Sequence, residues 1–404
     1  MAITETVDGL RAVMERKLAA LPERVRLWTS EYTQKNSIPR NMLLTGQRGT
    51  GKTTFLLHHA RLSGERMLYF SADSPRLASE SLYDLAAEAF MQGYGGVIID
   101  EVHFARDWSR CLKSLYDDFP DRKVWASDSS ALVLRAGTAD LSRRYVFVRM
   151  PLMSFREFLF LETGNVCAPV NPFDSEFSGK LPVQPDAGLL GLFEEYKRFG
   201  TRPFYMEGNY EERSLALLEK TLNSDVPFFV PSITDDNIRL MTAVVGTLSA
   251  ASIPRLQVRS LCSDWNVSAD KLYQLLAVME AVGALRMVRF QNDSKAKSAG
   301  AKLFLADPCL YSVLHGNAGS QREAFVTALL EDAGFSVHAC RDETEGDFMV
   351  LKSSGPIARG NESPLKIEVG GRNKVLKKSD WVIRGGTDYP TDKVIPLWLL
   401  AMMW

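Results

Sequence analysis

Leu10, Val13, Met14, Lys17, Leu18 and Leu21 recur with the 3.6-residue period of a helix that buries one face, and Pro22 ends or kinks it. Residues 1–40 therefore read as helical. Beyond them the pattern changes. Short apolar runs at Met42–Thr45, Met67–Phe70, Val97–Ile99, Lys123–Ala126 and Tyr145–Val148 alternate with stretches of helix length. Strands apolar on both faces, separated by helices, predict one parallel sheet covered on both sides, an α/β fold.

Further along, Pro169, Pro172, Pro182 and Pro185 mark residues 165–190 as a loop-rich linker or insertion. Residues 189–225 return to a helical pattern broken near Gly200 and Gly208. Three helices are then expected, Asp235–Ala250, Gln257–Asn266 and Ser268–Gly283, with Ser268 capping the third. Leu285–Gln291 and Ala301–Ala306 follow as a candidate hairpin, the wing of a winged helix. An amphipathic helix and short strands fill 318–404, a second α/β arrangement. The Lys/Ser/Ala tract 294–302 reads as a turn tip.

A chain of 404 residues suggests two or three domains at about 150 residues each. Its 48 Lys and Arg balance 49 Asp and Glu, which excludes a polycation or an acidic tail protein. The five cysteines are scattered without a C-x-x-C pair, so reduced thiols are expected rather than a disulfide frame or zinc site. No run reaches the roughly 18 apolar residues of a membrane span, and the N-terminus lacks an apolar signal region. The apolar C-terminus, Ile395–Trp404, is expected to be a buried closing strand. These features predict a cytoplasmic protein with no membrane contact.

Gly46-Gln47-Arg48-Gly49-Thr50-Gly51-Lys52-Thr53 fits the phosphate-loop pattern G-x-x-x-x-G-K-[ST], between a strand and a helix starting at Thr53. Glycines let backbone N–H groups turn in around phosphates, and the helix N-terminus adds its positive dipole end. Lys52 is expected on the β- and γ-phosphates of ATP, the Thr53 hydroxyl on Mg2+, and Thr54 beside them. Gly96-Val-Ile-Ile-Asp100-Glu101 supplies the complementary acids. Asp100 is expected to hold Mg2+ and Glu101 to act as general base toward water. Two acids so placed favour hydrolysis over transfer to a hydroxyl acceptor.

After the fourth strand, Ser127-Asp128-Ser129-Ser130 offers a short polar side chain able to report the γ-phosphate, with Ser129 first and Ser130 second. The other reading is an N-cap for a helix Ala131–Gly137. Arg143 and Arg144, just before the fifth strand, are candidates to stabilise transition-state charge in a neighbouring subunit, with Arg144 preferred.

These residues, with Tyr69-Phe-Ser-Ala-Asp73, Ile98-Ile-Asp-Glu-Val-His103, Trp108, Leu112–Asp117 and Pro151–Leu159, resemble the prokaryotic AAA+ ATPases of the MNS-like clade. The resemblance implies a P-loop AAA+ parallel sheet with a helical lid, followed by a winged helix and a small restriction-endonuclease-like α/β domain. The expected boundaries are 1–160, 161–230, 231–312 and 313–404. It also implies a homo-oligomeric, hexameric ring using ATP and Mg2+.

Residues 255–302 carry eight Lys/Arg (Arg255, Arg259, Lys271, Arg286, Arg289, Lys295, Lys297, Lys302) against four acids, whereas 151–230 carry seven against twelve. A basic module suggests contact with DNA phosphates, duplex or junction. In the tail, Glu323, Asp347 and Glu368 resemble a nuclease acid set, but the lysine two residues after the last acid is replaced by Gly370. Lys366 or Lys374 would have to act from another backbone position, so a structural or DNA-gripping role is expected rather than nuclease activity. The sequence thus points to an ATP-driven motor on DNA, for translocation or junction branch migration. The alternative is an ATP-controlled signalling or defence switch whose C-terminal modules bind a protein.

Overall fold

The structure, a computed structural model, describes residues 3–129, 141–174, 181–230, 232–252, 258–291, 301–342, 344–352 and 364–404. The chain divides into two compact units, Met1–Pro151 and Leu152–Trp404.

In the first unit the helical N-terminus is two helices, α1 (Ile3–Ala19) and α2 (Leu27–Lys35), separated around Pro22. Alternation then follows as the apolar runs require: β1 (Asn41–Thr45), α3 (Lys52–Ser63), β2 (Met67–Ser71), α4 (Leu82–Met91), β3 (Gly96–Asp100), α5 (Trp108–Asp118), β4 (Lys123–Asp128) and β5 (Val146–Arg149). The fifth strand starts one residue later than its apolar run, because Tyr145 turns its hydroxyl onto the Leu112 carbonyl (2.9 Å) and packs against α5. All five strands are parallel, in the order β2-β3-β4-β1-β5. Strand order reverses about β1, so the crevice beyond its C-terminal end is where an open α/β sheet takes a ligand. One face of the sheet buries Met42, Leu44, Tyr69, Ile98 and Trp125 against Phe55, Leu56 and Ala60 of α3. Trp28 and Tyr32 of α2 clasp Phe55 at ring distances of 5.1 and 5.7 Å.

The second unit opens with α6 (Phe155–Thr163), whose Ser154 and Glu157 form a reciprocal capping box. Then come α7 (Ala187–Phe199), α8 (Tyr210–Lys220), a π turn at Thr221–Asp225, and α9 (Val226–Phe229). Pro227 lacks the N–H a regular turn needs, and the wider π turn precedes it. The three expected helices are α10 (Asp235–Ala250), α11 (Val258–Asp264) and α12 (Ala269–Ala281), followed by the antiparallel pair β6 (Leu285–Val288) and β7 (Lys302–Leu305). Ser268 caps α12 by accepting the Lys271 N–H (3.2 Å). Then follow α13 (Leu310–Val313), α14 (Ala318–Asp332), β8 (Phe335–Ala339), β9 (Phe348–Lys352), β10 (Leu365–Gly370), β11 (Trp381–Arg384), β12 (Val394–Pro396) and α15 (Leu397–Leu400). Strands β8 to β12 form a mixed sheet in sequence order. The C-terminus departs from the single strand expected. Only Val394–Pro396 pairs with β11, and the buried run beyond the sheet coils into a helical turn that satisfies its own backbone, with Ala401 N–H on the Leu397 carbonyl (3.0 Å).

Candidate active site

Gly49 and Gly51 stand at φ +77° and +97°, a left-handed region costly to any residue with a Cβ, and they fold Gly46–Gly51 into a loop leading straight into α3. Thr50 closes the loop, its hydroxyl donating to the Gln47 carbonyl (2.9 Å). Lys52 Nζ donates to the carbonyls of Gly46 (2.8 Å) and Gln47 (3.0 Å). Burial pushes the Lys52 ammonium below its usual range, and Glu101, Asp100 and Asp128 oppose that shift. Outside the motif, the buried Arg26 braces the loop, donating to the carbonyls of Thr50 (2.9 Å) and Pro151 (2.8 Å).

The acids meet the loop from β3. Asp100 Oδ2 accepts from the Thr53 hydroxyl (2.7 Å) and the Tyr69 hydroxyl (2.9 Å), and its Oδ1 from Ser127 and from the Glu101 N–H (3.2 Å). Glu101 lies in the left-handed region, φ +47°. Its Oε1 pairs with Arg48 of the loop (3.3 Å) and its Oε2 accepts from Ser129 (2.9 Å). Burial raises the Glu101 carboxyl above the usual range, while Lys52 and Arg48 pull it back. Three consecutive residues at the end of β4 thus reach three partners: Ser127 takes Asp100, Asp128 takes His103, and Ser129 takes Glu101.

This loop and acid pair sit inside a segment that a known family covers. Residues 39–159 match the family described as AAA domain. The match supports an AAA-type ATPase. Across more of the chain, 316 residues are 28% identical to an uncharacterized protein of Methanocaldococcus jannaschii, MJ1637, and cover 72% of this chain and 66% of that protein. Among solved structures, the Walker-type ATPase PABY2304 of Pyrococcus abyssi aligns over 71% of this chain and 93% of its own, at 16% identity and a TM-score of 0.40. The Thermotoga maritima RuvB Holliday junction branch migration motor aligns over 69% and 89%, at 14% identity and a TM-score of 0.32. At these scores neither likeness bears on what this chain does.

Of the residues singled out in the AAA-type segment, Gly46 through Thr54, Asp100, Glu101 and Ser129 come together around the loop. Arg144 lies apart from them, forked onto Asp117 of α5 (3.0 and 3.1 Å), and Arg143 is exposed beside it. Ser130 and the helix 131–137 lie outside the described residues. Arg26 stands outside every expected motif, and Tyr69, Ser127, Asp128 and His103 lie in quoted stretches that assign them no role. Ser127 carries a usable signal, a polar residue near the end of an otherwise apolar strand, whereas Tyr69 sits mid-strand.

In the second unit the tail acids also converge. Lys302 Nζ reaches Glu323 of α14 (2.8 Å) and Asp347 (3.3 Å), and Lys374 reaches Glu368 (2.6 Å) and Asp347 (3.5 Å). A Cβ on Gly370 would lie 2.5 Å from Lys374, so this lysine fills the space a side chain at 370 would need. Lys366 is drawn away to Glu345 (2.8 Å). Of the eight basic residues assigned to a DNA face, three are paired within this unit. Arg286 pairs with Glu331, Arg289 with Glu280 (2.6 Å), and Lys302 with the tail acids, all inside this unit. Arg255, Lys295 and Lys297 lie outside the described residues, as does the side chain of Arg259. Exposed positive charge sits instead on the β10–β11 loop, at Arg372, Lys377 and Lys378. Among the described residues no helix is long and apolar enough to cross a membrane.

Proposed function

We propose that the chain is a Mg2+-dependent ATP hydrolase of the AAA+ type, with Lys52 on the phosphates, Thr53 and Asp100 on the metal, and Glu101 as the base. The observation that carries it is the 2.7 Å contact between the Thr53 hydroxyl and Asp100 at the mouth of the loop. Two hard oxygen donors held together there suit Mg2+, which when bound neutralises charge on the phosphate oxygens. Around that spot the chain's own groups divide the work. Loop N–H groups and the α3 N-terminus hold the triphosphate, Lys52 leaves its carbonyl partners for phosphate oxygens, and Glu101 orients water and accepts its proton. Ser129, already on Glu101, links the base to the γ-phosphate side. Lys52→Ala should lose ATP binding; retained binding would refute the assignment.

The finer reading is a cytoplasmic homo-oligomeric ring, hexameric, acting on DNA, with residues 161–230 as lid, 231–312 as winged helix and 313–404 as an α/β tail without nuclease activity. Arg143 or Arg144 serves the neighbouring subunit, and Arg144 must first release Asp117. The exposed Arg372, Lys377 and Lys378 support contact with DNA phosphates. A second reading, a switch that binds a protein partner, is favoured by the internal ion pairs of Arg286, Arg289 and Lys302, which leave the 255–302 segment less free charge than its composition implies. ATPase rates with no DNA, duplex and four-way junction discriminate the two. Acceleration that fades steeply with salt supports the motor, and no DNA response supports the switch.

A further inference from the structure

Asp128 and His103 form a buried pair directly behind Glu101, with no role in the scheme above. Asp128 is wholly buried at the end of β4, and its Oδ2 accepts twice from one residue, from the His103 backbone N–H (3.1 Å) and from ring Nδ1 (2.6 Å). Only the imidazole form with a proton on Nδ1 makes that second bond. His103 is the middle residue of the 3₁₀ turn Val102–Phe104, which Glu101 starts by accepting the Phe104 N–H (3.1 Å). Glu101 itself holds φ +47°, a conformation a residue with a side chain keeps only where its surroundings over-determine it.

We propose that Asp128, acting through His103, is a positioning residue for Glu101. The proposal rests on the reading of Glu101 as the base. Two bonds from one carboxylate oxygen to both the main chain and the ring of His103 fix the turn, and the turn fixes the direction in which the Glu101 side chain leaves the backbone. Ser129 and Arg48 then complete the aim at the two carboxylate oxygens. The clamp acts on the backbone of the turn and not on the Glu101 carboxylate through Nδ1, which stands 3.8 Å from Oε2, beyond hydrogen-bond reach, and donates to Asp128. Buried polar pairs usually serve stability alone, so the test must separate aim from folding.

Misplacing a reacting group by an ångström costs up to about a hundredfold in rate. In the full chain, Asp128→Ala should lower kcat for ATP at least about tenfold, while the affinity for a fluorescent ATP analogue with Mg2+ stays within about twofold. Asp128→Asn, whose amide oxygen accepts the same two N–H groups, should recover the rate to within about threefold. In a Glu101→Gln background, Asp128→Ala should cost nothing further, since it acts only through that side chain. Where Asp128→Ala does not fold, His103→Ala removes the ring half of the clamp and carries the same expectations. Wild-type kcat in Asp128→Ala, equal slowing in the Glu101→Gln background, or a parallel loss of affinity would overturn the proposal. Wild-type turnover by Glu101→Gln would instead sink the base assignment, and the proposal with it.

Discussion

Arg26 lies twenty-four residues before the loop residue it holds, and it makes the sharpest test of how the nucleotide loop is built. Its guanidinium is 4% exposed and donates to the buried carbonyls of Thr50 and Pro151. Hydrogen bonds from a charged donor contribute about 1.5–3 kcal/mol each, and buried carbonyls left without donors cost a comparable amount. Against that, Arg26→Ala no longer has to bury a guanidinium. The net loss is about 2–4 kcal/mol. For a unit of this size that corresponds to a melting temperature lower by roughly 5–15 °C. The loss should also be directional. Thr50 is part of the loop, so ATP affinity should fall more than kcat, and Arg26→Lys, which presents a point charge instead of a fork, should fall between. Thermal unfolding without nucleotide, followed by ATP titration, measures both. A melting temperature within 2 °C of wild type, or a kcat loss with unchanged affinity, would refute the bracing role.

Three further outcomes are expected. Burial beside Phe55 lowers the His59 imidazole to about 4, below its unfolded value of 6.5, so the unfolded chain takes up the extra proton and stability falls as pH drops below 6.5. The loss is about 2 kcal/mol by pH 5, and His59→Phe should flatten the urea-unfolding profile between pH 7 and 5. Arg48 pulls the raised Glu101 carboxyl back toward normal, so Arg48→Ala should move the acid limb of the kcat profile to higher pH; a downward move would contradict the pairing. Lys374→Met should destabilise the second unit by about 2–4 kcal/mol in denaturant melts, because Glu368 is almost fully buried and, among the described residues, keeps only Lys377 at 3.5 Å as a cationic partner. A neutral result would mean the tail acids are not held by Lys374.

The nucleotide loop and its acids are legible because each is local: a glycine pattern between a strand and a helix, and two carboxylates ending a buried run. The parallel sheet was legible for the same reason. What joins them is not local. Thr53 and Tyr69 meet on Asp100 only because β3 lies where the order β2-β3-β4-β1-β5 puts it, and no periodicity within a strand states that order. Asp128 and His103 lie twenty-five residues apart in sequence and meet only because β4 and β3 lie side by side. Charge counting misses partners in a related way. Arg286, Arg289 and Lys302 add to a basic total along the sequence, yet each is matched by an acid brought in from another element. Lys374 shows the reverse case, a lysine displaced four residues along the chain that nevertheless reaches Glu368, because Gly370 leaves it room.

The central claim is that the loop and acid pair bind ATP with Mg2+ and that Glu101 makes water split it. It is tested most directly by measuring ATP affinity and phosphate release side by side for the wild type and Glu101→Gln. The account predicts Mg2+-dependent binding in both and phosphate release only in the wild type. Absent binding in the wild type, or release at the wild-type rate by Glu101→Gln, would contradict it.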